Sequence, residues 1–346
     1  MTANTSERDF IVIGENMHAS RVILKKGKRF VVDGDREAIR FATVDGAEQL
    51  FEIPNWARSG QDYDEGRIKH VRIAVQAAMS GERGADVAFS YLEQLAIRQE
   101  RAGATFLDVN VDEVSPNRAQ QEQTLTWLVD AVQSMSPLPI SVDSSDIGLL
   151  EAGLDVCDTQ RDRPMLNSAS LERPEILDIA RDHHARVVLT AAGESGMPEG
   201  TDQRVENASA MLDAALSSGM PPDDLFVDPL IFPIAVDGAY GRHALDAIRL
   251  LRERYGPDIH ITGGFSNVSF GIPSRRIIND VFLRLAVDAG ADSGIIDPVL
   301  GRVSDVLSID PDSPSYRLAE DVLMGRDEDC SAYIRAWRQK QLQPLY

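Results

Sequence analysis

The sequence predicts a (β/α)8 barrel, and three observations predict it. Eight short, apolar runs rich in β-branched residues recur along the chain. Amphipathic stretches of helical period separate them. A polar residue, most often Asp or Asn, follows seven of the eight runs at the same relative place. Short apolar runs bounded by turn residues suit strands buried on both faces, as in a parallel sheet. A doubly wound open sheet is the alternative, and the count of eight favours closure.

The predicted strands, in order, are Phe10–Ile13, Thr105–Val109, Pro139–Val142, Met165–Leu166, Arg186–Thr190, Leu225–Val227, Ile259–Thr262 and Gly294–Ile296. The predicted helices are Ala85–Arg101, Asn117–Ser134, Ile147–Gly153, Arg173–His183, Asp202–Ser217, Gly241–Arg254 and Arg276–Ala289. Gly103, Gly219 and Gly290 stand just past helix ends, where a glycine accepts the left-handed conformation that closes a helix. The rhythm breaks once. About 70 residues separate the first strand from its helix, far more than the roughly 2–6 of an ordinary βα loop. Within this segment, Arg21–Leu24 and Arg29–Val32 flank a lysine-rich Lys25–Lys28 tract and read as one hairpin. Ile39–Ala42 and Gln49–Ile53 flank Val44-Asp45-Gly46 and read as a second, and Ile68–Met79 reads as a helix. The segment is expected on the C-terminal face of the barrel, either as a solubilising hairpin tip or as a lid or docking surface. The whole chain, 1–346, reads as one barrel domain with an insertion at about 20–84 and a helical extension at about 300–346.

Composition bounds the function. Hydrophobic residues make up 43% and charged residues 26% of 346, enough apolar material for a large core. The net charge of -20 argues against nucleic-acid backbones and anionic membranes as partners. Of the 35 basic residues 30 are arginine, and no lysine lies between Lys69 and Lys340. Cys157 and Cys330 lack metal-type spacing and read as free thiols in a reducing compartment. The polar Met1–Asp9 shows no apolar leader stretch, and no run reaches membrane-spanning length, so the expected location is cytoplasmic.

The strand ends carry the chemistry. They read Glu15-Asn16, Asp108 and Asn110, Asp143-Ser144-Ser145, Asn167-Ser168, Asp228, Ser266-Asn267 with Ser269, and Asp297. Asp and Asn are poor strand residues. Any one of them reads equally as a helix N-cap, and Ser145 or Asp146 is a fair candidate for that role. Seven at corresponding strand ends point to a shared polar site at the barrel rim. Near this rim stands only one histidine, His18, so the set does not look like a metal site. Carboxylates that accept and carboxamides that both donate and accept suit a neutral heterocycle such as a 2-amino-4-oxo pterin. Arg275 and Arg276 read either as anion contacts or as a solvated helix start.

The ordered motifs Val12-Ile13-Gly14-Glu15, Gly103 to Asn110, Pro139 to Ser145, Asn167-Ser168, Val227 to Leu230, Phe265 to Gly271, Arg275 to Asn279 and Ile296-Asp297-Pro298 resemble the pterin-binding methyltransferases. That group comprises the methyltetrahydrofolate:corrinoid methyltransferases and the folate module of cobalamin-dependent methionine synthase. The likeness covers Phe10 to about Leu300 outside the insertion. It implies that Glu15, Asp108, Asn110, Asp143, Asn167, Asp228, Ser266, Ser269, Arg275 and Asp297 line a pterin pocket. It also implies that Asn267 hydrogen-bonds N5 of the folate and, with Asp228, serves catalysis. By the same resemblance the substrate is tetrahydrofolate in either direction of methyl transfer, the corrinoid (cobalamin) comes on a separate partner protein, no metal is bound directly, and the enzyme is a homodimer. The Gly-Glu-Arg-Ile-Asn of the family is replaced here by Gly14-Glu15-Asn16-Met17-His18. His18 is thus either a new acid or ligand contact or a plain loop histidine. A base-off corrinoid carrier would show Asp-x-His-x-x-Gly, and Asp182-His183-His184 matches it only by chance. The alternatives are a non-catalytic folate-binding protein and a dihydropteroate synthase, the latter disfavoured by the missing rim lysine.

Overall fold

The computed structural model describes residues 10–194 and 196–346; the Met1–Asp9 segment lies outside the described residues. The chain divides into two compact units, residues 14–167 and residues 1–13 with 168–346, with strand β1 (Ile11–His18) crossing the first boundary.

In the unit 14–167, β2 (Val22–Leu24), β3 (Phe30–Asp33), β4 (Arg36–Ala42), β5 (Glu48–Glu52), the short helix α1 (Gln61–Asp64), β6 (Arg67–Lys69) and α2 (His70–Met79) precede the helix α3 (Ala85–Arg101). Then follow β7 (Phe106–Asn110), α4 (Arg118–Met135), β8 (Ile140–Asp143) and α5 (Ile147–Asp155). The second predicted hairpin forms, with β4 and β5 antiparallel from Ala38↔Glu52 to Ala42↔Glu48. The first does not. β2 pairs with β6 and β3 with β4. The Lys25–Lys28 tract makes two successive turns, Gly27 N to the Leu24 carbonyl and Phe30 N to the Gly27 carbonyl, which carry the chain away from β2. Pairing with β6 sets Ile23 opposite Ile68, both buried, which a β2–β3 hairpin would not do.

The three-stranded sheet β3-β4-β5 lies on α3 through Tyr91. The Phe41 ring meets Tyr91 edge-on at 5.1 Å and the Phe51 ring stacks on it at 5.4 Å. The Tyr91 hydroxyl, fully buried, accepts from Arg29 Nη2 at 2.6 Å and lies 2.9 Å from His70 Nδ1. The β4–β5 turn reaches Arg101 at the C-terminal end of α3, where Arg101 Nη1 donates to the Val44 carbonyl at 3.4 Å. A helix that leads into a barrel strand ends beside that strand's N-terminal end. This turn is therefore on the side opposite the rim, whereas Arg21, Lys69 and Gln76 of the same insertion meet Glu15, Glu113 and Val114 at the strand ends.

In the other unit, β9 (Met165–Ala169) crosses in from the first. After it come α6 (Ile176–Asp182), β10 (Arg186–Thr190), α7 (Thr201–Ser217), β11 (Leu225–Asp228), α8 (Tyr240–Tyr255), β12 (His260–Ile261), α9 (Arg275–Ala289) and β13 (Ser293–Ile296). The tail forms α10 (Val303–Leu307), α11 (Pro314–Leu323) and α12 (Ser331–Arg338). α11 packs against α9, burying Tyr316, Ala319, Val322 and Leu323. Buried Tyr333 of α12 donates to the Ser274 carbonyl just before α9.

The eight long-range strands form one parallel sheet in the order β12-β11-β10-β9-β8-β7-β1-β13. The two ends of that order meet within the second unit, where Gly264 bridges Ile295 and the Ile295 amide donates to the Gly263 carbonyl at 3.0 Å. The fold is the predicted (β/α)8 barrel. Two strand ends differ from expectation. β1 continues to His18, so Glu15 to His18 are strand rather than loop residues. β12 stops at Ile261, and Phe265–Ser269 form a single 3-10 turn, because Gly263-Gly264 end the extended run and the Asn267 amide turns back to the Gly264 carbonyl.

Candidate functional site

Within the unit 14–167, the polar ends of β1, β7 and β8 converge. His18 Nε2 lies 2.6 Å from Asp108 Oδ2 and 3.9 Å from Asp143. Asn110 Nδ2 donates to Asp143 Oδ2 at 2.9 Å. Asn110 Oδ1 accepts from the Asp112 amide, and Asp112 in turn holds Ser144 and Ser145, which ties the ends of β7 and β8 together. Asn167 stands beside Asp143 in register on β9. Glu15 Oε1 and Asn16 Oδ1 both accept from Arg21, at 3.1 and 2.6 Å. Gly14 allows the close approach of Gln99, whose Oε1 accepts from the Asn16 amide at 2.9 Å; a Cβ on Gly14 would lie 2.6 Å from that oxygen. The capping reading holds for Asp146, which accepts from Leu149 N at 2.9 Å.

The electrostatics follow from burial. Asp108 is 0% exposed, and its Oδ1 has no hydrogen-bond partner among the described residues. Burial alone would lower the His18 pKa, but the Asp108 hydrogen bond and the charges of Asp108, Asp143 and Glu15 together outweigh it and raise it to about 9. His18 is therefore an imidazolium at neutral pH. Burial, and then the charge of Asp108, push Asp143 up to about 7, against the smaller opposing pull of His18 and Asn110. The donor atoms of His18, Asp108 and Asp143 lie within 4.8 Å of one another, close enough to share a cation once the imidazolium proton is lost.

Within the unit 168–346, Asp228 ends β11, nearly buried. Its Oδ1 accepts from the Leu230 amide at 2.7 Å, which helps hold Leu230 at a φ of 65°. Burial pushes Asp228 up to about 6, against the Leu230 and Gly264 amides and the charge of Arg204. Arg204 is 0% exposed, donates to the Leu230 and Gly200 carbonyls, and stacks over Phe232 at 4.8 Å; its Nη2 has no partner among the described residues. The exposed Asn267 sits on the 3-10 turn. Arg275 ties that turn down by donating to Ser269 Oγ at 2.9 Å and to the Ser266 carbonyl at 2.8 Å, with its guanidinium 4.2 Å from the Phe270 ring centroid. Asp297 Oδ1 accepts from the Val299 amide at 3.0 Å.

Residues 85–297 match the family described as pterin binding enzyme. The chain belongs to that family. A methylcorrinoid:tetrahydrofolate methyltransferase from Eubacterium limosum is 29% identical over 262 residues, covering 74% of this chain and 90% of the relative. The methionine synthase of Mycobacterium tuberculosis is 31% identical over 230 residues, 62% of this chain but only 19% of that longer protein. Among solved structures, a dihydropteroate synthase from Xanthomonas albilineans with bound 7,8-dihydropteroate superposes with a TM-score of 0.52 at 19% identity, over 64% of this chain and 83% of the other. This likeness concerns the fold.

In this pterin-binding enzyme the structure gathers Asp108, Asn110, Asp143 and Asn167 in one unit, and Asp228 stands near the 3-10 turn of Asn267 in the other through its contact with Gly264. Arg21, Asp112 and Arg204 are polar neighbours that the sequence reading did not single out. Arg21 and Asp112 act on site residues only after the chain folds back on itself, and Arg204 lies on a helix face where no strand-end signal marks it. His18 carried a signal, its substitution for the family asparagine, and of its two readings the plain loop histidine is set aside, since it ends β1 with its ring on Asp108.

Proposed function

We propose that the protein binds a reduced folate by its pterin ring and moves a methyl group between N5 of that folate and a corrinoid carried on a separate protein. The observation that carries the reading is the convergence of carboxylates and carboxamides at the ends of β7, β8 and β9: Asp143, 25% exposed at its side chain, stands between Asn110 and Asn167, with the buried Asp108 held by His18 beside it. Accepting carboxylates beside carboxamides suit a ligand that presents ring N–H and amino donors. A 2-amino-4-oxo pterin has that edge. The Eubacterium limosum relative, matched over nearly its full length, supports the methyl-transfer reading.

On this reading Asp108, Asn110, Asp143 and Asn167, with Glu15 behind them, orient the pterin. Asn267 serves N5: a carboxamide can strengthen its hydrogen bond as charge develops there, which assists the transition state more than the ground state. Asp228, poised near pH 6, holds or yields a proton close to the working pH. Ser266, Ser269, Arg275 and Asp297 shape the turns that present these groups. A bound corrinoid supplies the cobalt centre that accepts or gives the methyl group. Among the described residues Asp182-His183-His184 only ends α6, with His184 in a left-handed turn, which suits a carrier on another chain. The reading extends to a homodimer working in the cytoplasm without a bound metal; no described helix is long and apolar enough to cross a membrane.

The test is calorimetric titration of chelator-treated protein with tetrahydrofolate and methyltetrahydrofolate. Binding that survives chelation and fails in Asp108→Asn supports the site. Absence of binding to both folates refutes it.

A further inference from the structure

A second site lies between the inserted sheet and α3. A cavity of about 570 Å³ there is lined by Arg29 and Arg40 from the sheet side and by Gln94, Arg98 and Arg101 from α3. That volume falls in the roughly 300–1,000 Å³ range of small-molecule sites. We propose that this cavity binds a small polyanion bearing phosphate or carboxylate groups.

The lining is a set of donors short of acceptors. In a chain of net charge -20, four guanidinium groups share the cavity with one carboxylate, Glu48. Glu48 lies 3.6 Å from Arg40, and both side chains are largely exposed. Arg29 is fixed by its bond to Tyr91 and by its position over the Tyr91 ring. Among the described residues Arg101 reaches only the Val44 carbonyl, at 3.4 Å. Gln94, 4% exposed, closes the α3 side of the cavity. Arg98 and Arg101 stand in the last turn of α3, where cations favour the helix dipole. The dipole does not account for Arg29 and Arg40, which come from other elements and face the same cavity. An acceptor-rich anion satisfies the guanidinium groups, and charge-assisted bonds to guanidinium are the strong kind.

The site is separate from the His18–Asp108–Asp143 cluster, because it flanks the end of α3 that feeds the start of β7 rather than the strand's C-terminal end. Its test is therefore independent of folate binding. The full chain is titrated calorimetrically at low salt with pyrophosphate in one arm and tricarballylate in the other. Wild type is expected to bind at least one, and the preferred arm identifies the anionic group. Arg98→Ala/Arg101→Ala should weaken that binding about tenfold or more, and the exposed Arg317→Ala should leave it unchanged. Thermal melts of the variants that match wild type show that the loss is local. If wild type binds neither anion, or if affinity survives undiminished in the Arg98/Arg101 variant, the proposal is overturned.

Discussion

The His18–Asp108 pair makes stability depend on pH in a window that can be calculated. The folded-state pKa of His18 is about 9 against an ordinary 6.5. At about 1.36 kcal/mol per pH unit this corresponds to about 3 kcal/mol. The folded value lies above the unfolded one, so this contribution is fully present below about pH 6.5 and is lost as pH rises through about 9. Asp143 is also raised, from 3.8 to about 7, so its neutral form stabilises the folded state at low pH and that contribution fades between those values. The two windows adjoin, and the groups face each other at 3.9 Å. The clean comparison is therefore Asp143→Asn against His18→Asn/Asp143→Asn. Asparagine at position 18 keeps a donor for Asp108 but cannot carry the charge. The hydrogen bond and charge of Asp108 are the leading upward causes for His18, so most of its effect persists without Asp143. Urea unfolding followed by tryptophan fluorescence at pH 6 and pH 9.5 should show the stability gap between the two proteins narrowing by about 2 kcal/mol. A gap that stays constant across that range would refute the held imidazolium.

Four further outcomes follow from the same geometry. Asn267→Ala should keep folate affinity and lose about 100-fold in kcat; full activity in a single-turnover assay removes Asn267 from catalysis. Asp143→Asn should weaken tetrahydrofolate about tenfold or more by calorimetry, since a carboxylate that accepts two donors becomes a group that must donate. Tyr91→Phe removes the hydroxyl that meets Arg29 and His70 in the core and should cost about 1–3 kcal/mol in urea unfolding; an unchanged midpoint means the hydroxyl does not brace the inserted sheet. Gly14→Ala should displace Gln99 from the Asn16 amide and lower the melting temperature, and a crystal structure with that bond intact counts against the steric argument.

The sequence by itself determined the strand count, the helices between the strands and the polar residues at strand ends. These are properties of local period and of single positions: a run buried on both faces must be apolar, and Asp or Asn ends it. Gly103, Gly219 and Gly290 do adopt positive φ after α3, α7 and α9, because a left-handed residue there is a local requirement. Tertiary structure alone decided the rest. β2 pairs with β6 across more than 40 residues because Ile23 and Ile68 must be buried together, and no neighbouring residue announces that partner. The perturbed state of His18 arises from Asp108, 90 positions away, and the burial of Asp108 arises from strands on either side. Arg204 is buried by a helix face packing over Phe232 and Tyr240, so its charge bears on Asp228 only after folding. Charge, burial and missing partners are sums over neighbours in space, and the linear chain does not list those neighbours.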